Sequence, residues 1–222
     1  MLPGRPPRAL IVARVQAIEI SLDWRWPPVL ALGTWLLAQN VLPARFPSWE
    51  LGTTWLTAAA AVLAGEVALL LHELSHALIA RSHGQHVTRI VFHGFQAQTV
   101  IEETPSAPLC EVLTALAGPT LNLLLAGLAG VIRFAFLVQG PLDAFLLMLT
   151  VGNAAAAVLS LLPFGSADGA RALAALRRHC RLEGEIACER QDDDDQNQQA
   201  QRRPAVVAPS AGAAKAAAQQ GE

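Results

Sequence analysis

The chain is short of charge: 15% of its 222 residues are Asp, Glu, Lys or Arg, against about 25% in ordinary soluble domains. With 53% of residues hydrophobic, that shortfall argues against a water-soluble surface and makes the membrane the first environment to test. Cysteine is scarce as well. Cys110, Cys180 and Cys188 are odd in number and lack CxxC spacing, which excludes a disulfide framework and a thiolate zinc site. The basic residues form no long stripe with aromatic residues between them, so no nucleic-acid partner is expected. The net charge of −2 selects no partner. A cleaved leader is not expected in residues 1–23 either. The apolar stretch there is short, is broken by Arg14, Gln16 and Glu19, and ends in no small-residue cleavage site.

What the chain does have is apolar length. Four segments, residues 26–42, 53–80, 109–138 and 142–162, reach or approach the roughly 20 helical residues that cross a hydrocarbon core. Trp24 and Trp26 flank one end of the first, and Trp49 and Trp55 lie near the turn into the second, as aromatic belts at two interfaces require. The competing reading is a soluble helical core, but soluble helices rarely stay apolar on all faces over such lengths. The expected fold class is an all-α polytopic membrane protein with about four transmembrane helices. Arg5, Arg8, Arg14 and Arg25 precede the first segment, Arg81 and Arg89 follow the second, and Arg171, Arg177, Arg178 and Arg181 follow the fourth. The positive-inside rule then puts both termini and the loop at 81–108 in the cytoplasm, with the cell membrane as the expected location.

Two stretches read as strands. Ile18, Ile20 and Leu22 alternate with Glu19 and Ser21, and residues 87–92 are β-branched and lead into the turn signal His93-Gly94. Residues 96–101 offer a return strand. A small β element on the cytoplasmic side is expected, although amphipathic linkers lying on the headgroups explain the same pattern. After Cys188 the chain turns to Gln, Asp, Ala and Pro, with an acidic run at 192–195, and lacks the apolar content that offsets ordering entropy. Three regions follow: a cytoplasmic N-terminal segment at 1–23, a membrane core at 24–181 and a disordered polar tail at 182–222.

The strongest chemical signal is His72-Glu73-Leu74-Ser75-His76, an HExxH pattern inside the second apolar segment. On a helix, residues four apart share a face, so both imidazoles reach one zinc ion and the intervening carboxylate reaches water at the metal. Ionisable groups are expensive in hydrocarbon and usually functional there, and this segment also carries Glu66. Polar groups that snorkel or pair helices are the bland alternative. For Glu66, seven residues before Glu73, the structural role is favoured.

A catalytic zinc takes three protein ligands and leaves a fourth position open. Asp168 is the candidate third ligand, because it follows the fourth segment at the end that the arginine bias puts beside His72 and His76. Pro163, Gly165 and Gly169 break the helix there, and irregular backbone at membrane depth survives only when buried in protein or lining a cavity. The alternative is an Asp that caps the next helix. Ala117-Gly118-Pro119-Thr120-Leu121-Asn122 near the start of the third segment permits close helix contact and offers the Asn122 amide as a donor. His83, His86, His93 and His179 read as surface or interface residues.

Together these motifs resemble the site-2 proteases, intramembrane zinc metalloproteases. The resemblance rests on His72 to His76 in one membrane helix, Ala117 to Asn122 in the next, and Leu161-Leu162-Pro163 leading to Asp168-Gly169 after the one that follows. It implies one zinc ion per chain held by His72, His76 and Asp168, Glu73 as the catalytic acid and base, and a transmembrane protein substrate cut within or near the lipid bilayer. The family's Asn-x-x-Pro reads Ser160-Leu161-Leu162-Pro163 here, so Ser160 stands where an amide is thought to meet substrate or oxyanion. Asp-Gly-Gly reads Asp168-Gly169-Ala170, and the loop Gly-Gly reads Gly94-Phe95. No stretch resembles a PDZ or CBS domain. The alternative function is a non-catalytic zinc-binding membrane module that docks membrane partners. It has no need of Glu73.

Overall fold

The computed structural model describes residues 10–15, 18–92, 97–101 and 107–202. Strands β1 (Leu10–Val15) and β2 (Ile18–Leu22) precede helix α1 (Trp26–Leu36), which passes through a π-helical turn at Leu37–Val41 into the short α2 (Leu42–Arg45). Helix α3 (Leu51–Ser82), strands β3 (Val87–Phe92) and β4 (Ala97–Ile101), and helices α4 (Pro108–Ala135), α5 (Gly140–Leu161) and α6 (Asp168–Arg202) complete the order.

Among the described residues, three helices are long and apolar enough to cross a membrane: α3, α4 and α5. The first apolar segment is helical but interrupted. Proline lies in the first turn of both α1 and α2. Pro43 withholds an N–H from the helical ladder, and the preceding turn closes instead with bonds such as Leu42 N–H to the Leu37 carbonyl. No single regular stretch of it reaches spanning length, so the expectation of about four spans is met by three uninterrupted helices.

Burial runs opposite to that of a soluble core. Buried positions are dominated by alanine: Ala58, Ala61, Ala68, Ala77 and Ala80 in α3, Ala115, Ala126 and Ala129 in α4, Ala144 and Ala157 in α5. Leu56, Leu63 and Val67 of α3, Leu124, Leu128 and Phe134 of α4, and Val151, Val158 and Leu159 of α5 face outward. Small residues let helix backbones approach, while large apolar ones are at home where lipid is the solvent. The chain is an integral membrane protein.

The strands form one sheet in the order β1-β2-β3-β4. The outer pairs are antiparallel, whereas β2 and β3 are parallel and adjacent although α1 to α3 intervene. Ile18, Ile20, Val87, Ile90 and Phe92 pack against Ala77 and Ala80 of α3, with Leu69, Leu70, Leu74 and Trp26 around them. The sheet therefore braces the half of α3 that carries His72 and His76. Main-chain pairing sets aside the reading of these stretches as headgroup linkers. Strand β1 was not foreseen: its residues 10–15 are exposed throughout, and they pair with β2 across an Arg14–Glu19 ion pair of 2.8 Å.

His93, Gly94 and Phe95, read from the sequence as a turn, lie outside the described residues. Helix α6 runs on to Arg202, past the change in composition that marked a polar tail, because Ala, Glu, Gln and Arg are strong helix formers even without apolar partners. From Cys180 the chain forms a separate unit, and residues 203–222 lie outside the described part.

Candidate metal centre

His72 and His76 lie one turn apart on α3 and are 6% and 3% exposed. Their rings meet edge to face, and their Nε2 atoms are 3.1 Å apart. The Oδ2 atom of Asp168 is 3.3 Å from each Nε2. Two nitrogens and a carboxylate oxygen thus converge as a near-equilateral triangle. Donors at the usual zinc distances in a tetrahedral site are separated by about 3.4 Å, so the triangle fits zinc without rearrangement. Among the described residues these three form the group able to hold a metal ion.

Asp168 arrives by a break in the helical path. Helix α5 stops where Leu162 turns extended with ψ of 138°. The chain then folds through Phe164 N–H to the Leu162 carbonyl at 2.9 Å and Ala167 N–H to the Phe164 carbonyl at 3.1 Å. Gly165 takes a φ of +56°, a conformation that costs glycine little. Asp168 opens α6, and Gly169 packs so closely on the Leu161 carbonyl that a Cβ there would overlap it. The Asp-Gly pair thus has a division of labour: glycine permits the close approach that carries the carboxylate to the histidines. Burial alone would raise the Asp168 carboxyl. Hydrogen bonds and charge from His72 and His76 outweigh it and hold the group below the ordinary carboxylate range.

Helix α4 forms the opposite wall. The His76 Nδ1–H donates to the Thr114 carbonyl at 2.7 Å. That bond leaves the Nε2 lone pair facing the shared point, the usual way a metal-binding imidazole is oriented. A Cβ on Gly118 would lie 2.5 Å from His72 Nε2 and closer still to His76 Nε2, so only glycine fits. The Nδ1 of His72, the Oγ1 of Thr114 and the Oδ1 of Asn122 are buried with no hydrogen-bond partner among the described residues.

The other residues singled out in the sequence fall as follows. Glu73, next to His72, is half-buried. Asn122 is 4% exposed on the α4 face. Ser160 donates its hydroxyl to the Ala157 carbonyl of its own helix at 3.0 Å. Glu66 accepts from the Trp26 indole N–H at 3.1 Å and so ties α3 to α1. His83 and His86 are exposed beyond the end of α3, away from the triangle. Thr114 was not singled out from the sequence, although its place four residues before Gly118 on one helix face carried the signal.

No family model matches the chain. Among curated proteins, it is 28% identical over 176 residues to "Putative zinc metalloprotease Rip3" of Mycobacterium tuberculosis, a match covering 77% of this chain and 44% of that protein. It is 28% identical over 162 residues to "Putative zinc metalloprotease sll0528" of Synechocystis sp., covering 73% of this chain and 42% of that one. Zinc metalloprotease relatives and a converged His-His-Asp triangle agree. The chain is a relative of the site-2 proteases. It spans less than half the length of the curated relatives it matches. The solved site-2 protease from Methanocaldococcus jannaschii overlaps 76% of this chain and 71% of that chain, at 18% identity and a TM-score of 0.48.

Proposed function

We propose that the chain is an intramembrane zinc metalloprotease that hydrolyses peptide bonds of transmembrane protein substrates within or near the bilayer. The observation that carries this reading is the triangle of His72, His76 and Asp168 donors, 3.1 to 3.3 Å apart and held from two separate helices. In this reading these three residues hold one zinc ion per chain. When bound, zinc supplies a Lewis acid that polarises a carbonyl and brings the pKa of water toward about 7.

The chain's own groups do the rest. Glu73, adjacent to His72 on α3, takes a proton from the attacking water and returns it to the leaving amine. The Thr114 carbonyl keeps the His76 ring in register. Asn122 presents its amide to the substrate or the oxyanion. Ser160, whose hydroxyl is committed to Ala157, contributes its donor only if that bond opens. The interrupted helix from Trp26 serves as a fourth span, both termini face the cytoplasm of the cell membrane, and the site lies toward that side.

The test compares native chain with His76→Ala and Glu73→Gln in cells. Native chain carries one zinc and generates membrane-protein fragments, His76→Ala carries none, and Glu73→Gln keeps zinc but generates no fragments. Full zinc in His76→Ala refutes the metal site. Fragments that persist in Glu73→Gln refute the proteolytic role and favour a zinc-bearing docking module.

A further inference from the structure

The metal centre joins donors from two helices, so its geometry depends on how α6 lies against the core. Asp168, Arg171, Ala175 and Arg178 recur at the spacing of one face of α6, and Ala175 on that face is fully buried. On α4, Glu111, Thr114 and Gly118 likewise share a face. The Thr114 carbonyl accepts from His76, and Gly118 packs against both imidazoles. One turn before Thr114, the Glu111 carboxylate accepts from the Arg178 guanidinium. One face of α4 thus touches both the helix that carries the histidines and the helix that carries Asp168.

We propose that Glu111 and Arg178 are positioning residues of the metal centre, a strut from α4 to α6 that holds the Asp168 carboxylate where it meets His72 and His76. The proposal rests on the metal site put forward above and adds what keeps its third donor in register. Near its start, α6 is pinned by the close packing of Gly169 on the Leu161 carbonyl. From Gly169 to Arg178 the helix rises about 14 Å, and the long Arg178 side chain leans back toward the Asp168 end, as helical side chains do. A rod held at one point is free to tilt, and held at two it keeps its direction. Arg178 is 57% exposed and Glu111 32%, and an ion pair of that kind adds little to the stability of the whole fold. Its leverage is local. A metal site tolerates ligand displacements of only about 0.2 Å, so a small tilt of α6 about Gly169 is enough to carry Asp168 out of place.

Charge reversal separates the strut from a plain field effect. Arg178→Glu adds negative charge near a dication, which by charge alone tightens zinc binding, whereas loss of the strut loosens it. On the full chain in detergent, Arg178→Glu and Glu111→Arg each weaken zinc binding about tenfold, and the double variant carrying both returns to within about threefold of native. Arg177→Glu makes the same charge change at the neighbouring exposed residue and leaves zinc binding at native strength or tighter. The cobalt-substituted Arg178→Glu chain shows the spectral change of Asp168→Asn, because the same donor has moved. Zinc binding in Arg178→Glu at or above native strength overturns the strut. So does a double variant as weak as the single ones, or a cobalt spectrum unchanged from native. Native chain that binds no zinc overturns the metal site itself, and the strut with it.

Discussion

Replacing Gly118 by alanine puts a single methyl group against the metal centre. The added carbon would lie 2.5 Å from His72 Nε2 and 2.6 Å from His72 Cε1, and nearer still to His76 Nε2. Carbon contacts settle near 3.5–4.0 Å, so the rings or the α4 backbone must retreat by about 1 Å. The backbone is not free to do so. Its Thr114 carbonyl is bonded to His76, and Ala115, at 1% exposure, is already packed. Overpacking of this kind costs about 1–3 kcal/mol, while a metal site tolerates ligand displacements of only about 0.2 Å. The donors should therefore lose their common point. Zinc affinity is expected to fall by about 100-fold, the upper end for changes outside the ligands themselves. Chelator competition on the detergent-solubilised chain reads the affinity, and the visible spectrum of the cobalt-substituted chain reads the geometry. Gly127→Ala on the same helix, where an added Cβ meets nothing within 4 Å, is the control and should leave both unchanged. A Gly118→Ala chain with zinc affinity within about threefold of native and an unaltered cobalt spectrum would refute the placement of α4 against the metal.

Asp168→Asn should weaken zinc binding by more than about 100-fold, because a neutral amide oxygen is a poor zinc donor, with protein yield unchanged; normal zinc per folded chain would remove Asp168 from the ligand set. Trp26→Phe deletes the indole N–H that Glu66 accepts and leaves a half-buried carboxyl short of a partner, so the folded state should lose about 1–3 kcal/mol; an unchanged Tm in detergent would show that this bond holds nothing. A reporter fused at the C-terminus should be active only as a cytoplasmic fusion, as the arginine bias requires; activity confined to the other side would invert the placement of the site.

Much of this architecture was legible because two signals are local. Hydropathy located the helices to within a few residues: 53–80 became Leu51–Ser82, and 142–162 became Gly140–Leu161. HExxH needs only helical periodicity to bring His72 and His76 onto one face. What stayed hidden depends on partners distant in the chain. The faces of α3 could not be assigned from hydrophobicity, because lipid-facing and helix-facing positions are both apolar and differ in size: Leu63 faces out while Ala61 and Ala68 are buried. Strand β1 escaped notice because its exposed residues show no alternation, and pairing with β2 alone defines it. Thr114 looked like an ordinary helical threonine. Its role appears only when α3 delivers His76 to its carbonyl. Ser160 held the place of the family's amide, yet its hydroxyl closes on Ala157 one turn back, as threonine and serine commonly do when no other acceptor is near.

For Asp168 the sequence leaves two roles open, helix cap or metal ligand, and its place in the structure bears on both. Ala167 begins the α6 ladder by accepting from Ala170 and Arg171, so Asp168 sits in the first helical turn and not at the cap position. Its Oδ2 faces His72 and His76 and its Oδ1 lies 3.6 Å from Arg171 Nη1. The first turn still matters to it, because the N-terminal end of a helix favours negative charge. That preference adds to the hydrogen bonds and charge of His72 and His76, which outweigh burial and keep the carboxylate ionised, and only the ionised form is a good donor to a dication. The break after α5 therefore does two things at once: it turns the chain back toward α3, and it starts a new helix whose first turn presents the Asp168 carboxylate to the two histidines. A continuous helix through 161–170 would point its residue 168 along the axis of α5 and offer it a ladder amide in place of a helix terminus. Insertion of one alanine between Ala167 and Asp168 should accordingly rotate the carboxylate about 100° around α6 and abolish zinc binding while leaving α3, α4 and α5 intact.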